Sequence, residues 1–352
     1  VLPDLYFAVP GDLNTLTGGY GYDRRVLAGL SALGLVAEHV PLSSAFPQPD
    51  AAALAAADAR LAAVPDGAVV LVDGLAFGVM DTLAAKHGKR LRLIGLCHHP
   101  LALEAGLGSA EAERLQQSEQ RALAAAVAVV VNSAATAAVL LRDYGVPQSK
   151  LTIALPGTDR QTFAACSGNP PVLLTVATLT RRKAHDVLLA ALAQLAHLPW
   201  VARLVGGADF DPPWAEGLRQ QATALGLQQR IEFVGSLADL RPEYAQADLF
   251  VLPTLYEGYG MVFAEALAFG LPIVATRVGA VPDVVPETAG MLVAPADIAA
   301  LTAALKTLLA ADTGPAQRKR LQHGAQAAAL QLPTWAATAQ AVADLINTVR
   351  TR

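Results

Sequence analysis

The chain has 352 residues, enough for two domains that each bury a core of their own. Hydrophobic residues make up 53% and charged residues 16%, but alanine supplies much of the apolar share and no run approaches the roughly 18 uncharged apolar residues of a membrane span. A net charge of -4, from 30 acidic and 26 basic residues, excludes the broad basic field of a nucleic-acid binder, so no nucleic-acid partner is expected and any phosphate must be met locally.

In chain order, short β-rich runs alternate with helical stretches, the pattern of parallel sheets wrapped by helices. A strand is predicted at 4–10, then a glycine loop, "LTGGYG", then a helix from Gly21. Further strands are predicted at 68–73, 91–97 and 127–133. The segment 156–171, rich in Pro, Gly, Ser and Asn, reads as a linker. A second series of strands follows at 172–179, 201–207, 230–236, 247–254 and 271–279, and the tail from Leu301 is alanine-rich helix. The fold class expected is α/β, with two Rossmann-like domains, 1–165 and 166–332, facing a central cleft where the carboxyl ends of their strands meet. The two cysteines, Cys97 and Cys166, lack CxxC or zinc spacing and suit reduced thiols. With no signal-peptide pattern at the start, a cytoplasmic location is the expectation.

The motifs fall just after strands. "TGGYG" places Gly18 and Gly19 ahead of a helix, where backbone N–H groups can take a phosphate or another polar acceptor. "LYEGYGMVFAEALAFG", 255–270, is a turn followed by a helix that ends at Gly270. If that helix starts near Gly260, the amides of Gly258, Tyr259, Gly260 and Met261 form an anion site at the positive end of the dipole. Glu257 then lies beside the anion and Glu265 about 7 to 8 Å up the helix axis. An ionised carboxylate suits a vicinal diol rather than a phosphate, so an anion with a sugar diol at each end is the layout of a nucleotide sugar. "TRRK", 180–183, is the densest basic run and directly follows a strand. His98 and His99 follow another predicted strand; alternation sends one of them inward, and His98 is the one favoured. Glu104 lies just beyond. Two signals are discounted: "DFD" at 209–211 as a metal motif, and "KHGKRLR", 86–92, as a patch that could touch anionic lipid.

These residues resemble glycosyltransferase family 4, retaining enzymes of the GT-B fold. "EGYGMVFAE" is similar to that family's E-x7-E element, and "VVNSAATAAVLLRDYGVPQSKLTIALPGTD" and "LLTVATLTRRKAHDVLLAALAQL" fall in the order the family uses. The resemblance implies transfer of a hexosyl group from a nucleotide-diphosphate sugar to a hydroxyl acceptor, without a metal or other cofactor. It assigns Glu257 to the donor sugar hydroxyls, Glu265 to the ribose diol, and the amides of Gly258 to Met261 to the sugar and distal phosphate. Lys183, helped by Arg182, neutralises the departing diphosphate; the base lies near Phe233 to Leu237, Gly18 and Gly19 face the acceptor and phosphates, and His98 lies near the anomeric centre. Thr178 stands where the family commonly has an arginine, a role that Arg181 or Arg182 would have to fill. The family also implies that the last helix, 333–352, crosses back to the first domain, and that some relatives act at a membrane face. The alternatives are a sugar-nucleotide epimerase of the same fold and a non-catalytic nucleotide-sugar binding protein.

Overall fold

The computed structural model describes residues 3–351, which form two compact units. One runs up to Gly157 and takes in the chain from Pro333 onward; the other is Thr158–Leu332. The first contains β1 (Leu5–Pro10), β2 (Ala37–Leu42), β3 (Val69–Asp73), β4 (Arg92–Cys97), β5 (Ala128–Val131) and β6 (Leu151–Ile153), all parallel in the order β2-β1-β3-β4-β5-β6. The second contains β7 (Val172–Val176), β8 (Val201–Val205), β9 (Ile231–Gly235), β10 (Leu249–Leu252), β11 (Ile273–Thr276) and β12 (Gly290–Val293), also parallel, in the order β12-β11-β10-β7-β8-β9.

Central strands such as "LYFAVP" and "IVAT" are buried at every position, because helices cover both faces of a parallel sheet. The strands absent from the sequence reading, β2, β6 and β12, each end a sheet. In β2, "AEHVPL", exposed and buried residues mix and Pro41 interrupts the apolar pattern, as an edge position allows. Predicted strand ends also shorten: the run to residue 133 stops at Val131, since Ser133 caps the helix Ala134–Asp143 through the Thr136 amide.

Residues 158–171 belong to the second unit rather than forming a free linker. The Ala164 amide donates to the Phe269 carbonyl, and the Asp248 carboxylate accepts from the amides of Gly168 and Val172. The chain therefore leaves the first unit after Gly157, ahead of the expected boundary at 165. The last helix, Trp335–Thr351, packs on the helix Gly18–Ala32 within the first unit. Gly29 makes room for it: a Cβ there would lie 2.4 Å from the Ala339 Cβ.

Each sheet has a switch point where successive connections leave in opposite directions, the place where open α/β sheets leave a crevice at their carboxyl ends. In the first unit it lies between β1 and β3, and in the second between β7 and β10.

Candidate active site

The loops after β7 and β10 bring together the groups that the sequence singled out in the second unit. After β7, residues Arg181–Lys183 form one 3-10 turn. Their backbone is sewn to the loop after β10: the Arg182 carbonyl accepts from the Leu255 amide at 2.8 Å and the Thr254 hydroxyl at 3.1 Å, while the Arg182 guanidinium donates to the Tyr256 carbonyl at 2.9 Å. Lys183 Nζ meets Glu257 Oε1 at 2.5 Å, and Arg182 lies 3.7 Å from Oε2. Glu257 is only 6% exposed. Burial alone would raise its carboxyl, but Lys183 and Arg182 outweigh that and hold it below its ordinary value, so it is ionised. Two residues past Lys183, His185 is buried and pushed down to about 3 by burial and by Lys183, which leaves it neutral.

Arg181 turns elsewhere. Its guanidinium stacks over Trp214 at 4.5 Å and lies 3.5 Å from Asp211. Of the two arginines near Thr178, only Arg182 reaches the Glu257 side. Asp211 also accepts from the Trp214 amide and caps the helix Pro212–Ala224, which accounts for the last residue of "DFD".

The helix after the glycine turn runs Met261–Ala268, with Gly260 as its N-cap. Gly258, Tyr259 and Gly260 are buried and Met261 is half-buried. Gly260 takes φ +88°, and a Cβ there would meet the Phe263 ring at 2.6 Å, so both conformation and space require glycine. Beyond the helix, Gly270 at φ +72° lets the amides of Gly270 and Leu271 turn back to the carbonyls of Leu267 and Ala266, which ends the helix where the sequence placed its stop. Glu265 is half-buried and accepts a 2.8 Å hydrogen bond from the Tyr244 hydroxyl. Burial raises its carboxyl, and the Tyr244 bond offsets only part of that. Tyr244 is itself fixed by stacking on Phe269 and Phe250, with centroids 5.4 and 6.0 Å away. Sequence reading missed Tyr244, whose only signal is an aromatic inside "RPEYAQADLF". Phe233 to Gly235 close the edge strand β9, and Arg219 lies over the Phe233 ring at 5.7 Å.

In the first unit, Gly18 and Gly19 are not loop residues as expected. They open the helix Gly18–Ala32 with Thr17 as N-cap, because first-turn amides have no intrahelical partner and tolerate glycine there. Gly19 lies against His98, the imidazole Cδ2 being 3.5 Å from where a Cβ would stand. His98 Nε2 is 3.3 Å from both Asp23 Oδ1 and Asp73 Oδ2, whereas His99 pairs with Glu104 at 3.4 Å. Asp23 and Asp73 are residues that sequence reading missed. Asp23 shares a helix face with Val26 and Leu30, a charge on an apolar stripe; Asp73 ends β3 and caps the turn Gly74–Phe77. The basic run 86–92 is tied into the fold: Lys86 and His87 meet Asp58, Arg90 meets Asp66 and the Val64 carbonyl, and Arg92 donates to the carbonyls of Val349 and Arg350.

A family profile described as Glycosyltransferase Family 4 matches residues 21–162, and one described as Glycosyl transferases group 1 matches 170–311. The chain belongs to glycosyltransferase family 4. A D-inositol 3-phosphate glycosyltransferase of Thermobifida fusca is 33% identical over 206 residues, covering 52% of this chain and 47% of that protein. The chain spans about half the length of the curated relatives it matches. Among solved structures, sucrose-phosphate synthase from Thermosynechococcus elongatus superposes with a TM-score of 0.81 at 22% identity, over 99% of each chain. Anabaena HepE in complex with UDP and glucose gives 0.77 at 19% identity, over 99% of this chain and 100% of that one. These likenesses show the GT-B fold. No helix among the described residues is long and apolar enough to cross a membrane.

Proposed function

We propose that this family 4 chain is a retaining glycosyltransferase that moves a hexosyl group from a nucleotide-diphosphate sugar to a hydroxyl acceptor. The observation that carries the reading is the Lys183–Glu257 pair with Arg182 beside it, set at the β7–β10 switch point next to the N-terminus of the helix Met261–Ala268. An ionised, buried carboxylate is a strong acceptor for sugar hydroxyls. Two cations and the amides from Gly258 to Met261 supply the positive field that a diphosphate needs as it departs. Lys183 and Arg182 thus take the part that a metal ion has in other sugar-nucleotide chemistry, and the reaction runs without one. Glu265 takes the ribose diol with the carboxylate oxygen that Tyr244 does not hold, and Arg182 fills the role that Thr178 leaves open. In the first unit, His98, with Gly19 against it, serves the sugar end. Retention follows if the acceptor attacks on the face the diphosphate leaves, with a phosphate oxygen taking the acceptor proton.

The test is a screen of UDP, GDP and ADP by thermal shift, followed by turnover of the matching donor sugars with and without chelator. Expected are stabilisation by one nucleoside diphosphate, chelator-resistant transfer and a product whose anomeric configuration by NMR equals that of the donor. Inversion, or activity lost to chelator and restored by magnesium, overturns the mechanism. Sugar-nucleotide turnover that needs no acceptor and yields an epimer makes the chain an epimerase, and tight binding with no turnover makes it a binding protein.

A further inference from the structure

Asp23 sits on the apolar face of the helix Gly18–Ala32 with no surface exposed, and neither of its carboxylate oxygens has a hydrogen bond. An isolated ionised carboxylate so placed would cost several kcal/mol, so Asp23 stays ionised only with a counter-charge beside it. His98 is the group in reach: its Nε2, itself shielded from solvent, is equidistant at 3.3 Å from Asp23 Oδ1 and Asp73 Oδ2. A nitrogen lone pair pointed at two carboxylates would be repelled, so Nε2 carries a proton shared between them.

We propose that Asp23 is a positioning residue which, together with Asp73, holds His98 as an imidazolium with Nε2–H clamped between two carboxylates and the opposite edge, Nδ1–H, left to donate. This deepens the proposed function and rests on its placement of His98 at the sugar. The surrounding groups leave the arrangement to these three. Asp73 is oriented by the Leu75 amide on its other oxygen. The Tyr22 hydroxyl donates to the Ala154 carbonyl and the Tyr20 hydroxyl to the Pro10 carbonyl. Arg24 reaches the carbonyls of Leu13 and Thr15, and Glu104 lies by His99. The Tyr22 ring packs edge-on against the imidazole with centroids 5.3 Å apart, which fixes the ring plane. Burial works against the His98 charge, but the contacts with Asp23 and Asp73 and their charges outweigh it and raise the imidazole well above its ordinary range. Burial likewise raises Asp23, and His98 opposes that rise. Two carboxylates and one imidazolium sum to a single negative charge. The cluster thus offers a strong N–H donor without adding net positive charge beside a sugar ring that itself becomes cationic as its bond to the diphosphate breaks.

Nitrogen-15 labelling of the seven histidines gives a readout that needs no substrate. His98 is assigned by the resonance lost in His98→Gln. In the wild-type protein its ring nitrogens should keep imidazolium shifts to at least pH 8.5, and Asp23→Asn should lower the midpoint by a pH unit or more. A neutral His98 at pH 7.5 in the wild type overturns the proposal, and the wild-type titration decides the matter alone if Asp23→Asn does not fold. A folded Asp23→Asn with an unchanged midpoint overturns it too. The three ligand atoms also lie within 4.8 Å of one another, so manganese is added in a separate sample. Selective broadening of His98 that Asp23→Asn abolishes would make the cluster a cation site and likewise overturn the proposal. None of these outcomes depends on whether a donor sugar is turned over, so failure here and failure of the glycosyltransferase reading are told apart.

Discussion

Glu257 and Glu265 are chemically the same and eight positions apart, yet their surroundings drive them in opposite directions. Two cations lower the first; burial, only partly offset by a tyrosine hydroxyl, raises the second. That difference predicts different losses. If Glu257 binds the donor sugar as proposed, Glu257→Gln should lower kcat far more than donor affinity, since bonds to the sugar would strengthen as the glycosidic bond breaks. It also frees Lys183 from its 2.5 Å partner, so binding of the free nucleoside diphosphate should hold or tighten. Glu265→Gln should weaken donor and diphosphate alike by about 1 to 3 kcal/mol, the worth of charge-assisted hydrogen bonds to the ribose. Calorimetric titration of both variants with the diphosphate checks this, and equal losses or the reverse order would mean the roles are exchanged. The sequence carried the two glutamates because Glu257 stands before a glycine turn that follows a strand and Glu265 interrupts an apolar run. It did not carry the Lys183–Glu257 pair, since the two residues lie 74 positions apart and meet only through the order of strands.

Among the elements, the helix Ser109–Ala125 places Glu119 under the segment that follows His98. Its carboxylate accepts from the Leu101 amide at 3.1 Å and lies 3.9 Å from Cys97 Sγ. Burial pushes this carboxyl up to about 8, only partly offset by the Leu101 amide and Tyr144. The sign is that of a raised acid: between the unfolded value near 4.5 and the folded value near 8, the folded chain keeps a proton that the unfolded chain has lost. Stability from this group is therefore full below pH 4.5 and declines as pH rises to about 8, by on the order of 3 to 5 kcal/mol. Glu119→Gln, which keeps an acceptor for Leu101, should remove that component, so wild type and variant should converge in acid and the variant should be the more stable at pH 8. Parallel melting curves from pH 5 to 8 would refute the shift. A second helix shows packing overriding propensity. Alanine normally stabilises a helix relative to glycine, yet Gly29→Ala should cost about 1 to 3 kcal/mol, because its Cβ meets Ala339 with no flexible side chain to move aside. Adding Ala339→Gly should recover part of the loss, and a double-mutant cycle of chemical denaturation measures the coupling.

At the scale of the whole molecule, each parallel sheet gathers its candidate site residues at its own switch point, just after strands, where the sequence motifs also lie. The helix after β1, the end of β3 and the end of β4 bring Asp23, Asp73 and His98 together; the loops after β7 and β10 bring together Lys183 and Glu257. Central strands were legible because both faces are buried and the residues form continuous apolar runs. Three of the four edge strands, β2, β6 and β12, were not, being short or mixed in pattern, and Asp23, one charge on an apolar stripe, acquires its meaning only when a strand 75 positions away delivers His98.

The first unit is completed by the end of the chain. The helix Trp335–Thr351 buries Val342, Ile346 and Val349, each worth roughly 1.5 to 3 kcal/mol of transfer from water. Trp335 adds an edge contact to Tyr22 at 6.0 Å and lies under Arg25 at 5.1 Å, the Thr338 hydroxyl donates to the Leu155 carbonyl at 2.6 Å, and Arg350 pairs with Asp4 at 2.6 Å. The gross burial alone rivals the roughly 5 to 15 kcal/mol by which a domain is stable. Truncation after Leu332 should therefore strip hydrogen-exchange protection from the helix Gly18–Ala32 and from β1 and β3, while β10 and β11 in the second unit keep theirs. The His98 cluster is built on those same elements, so its imidazole should lose its high titration midpoint in the truncated chain even where the second unit still binds a nucleoside diphosphate. Equal loss of protection in both units would instead mean that they unfold as one. Unchanged protection of the helix Gly18–Ala32 would mean that the terminal helix is dispensable to the first unit.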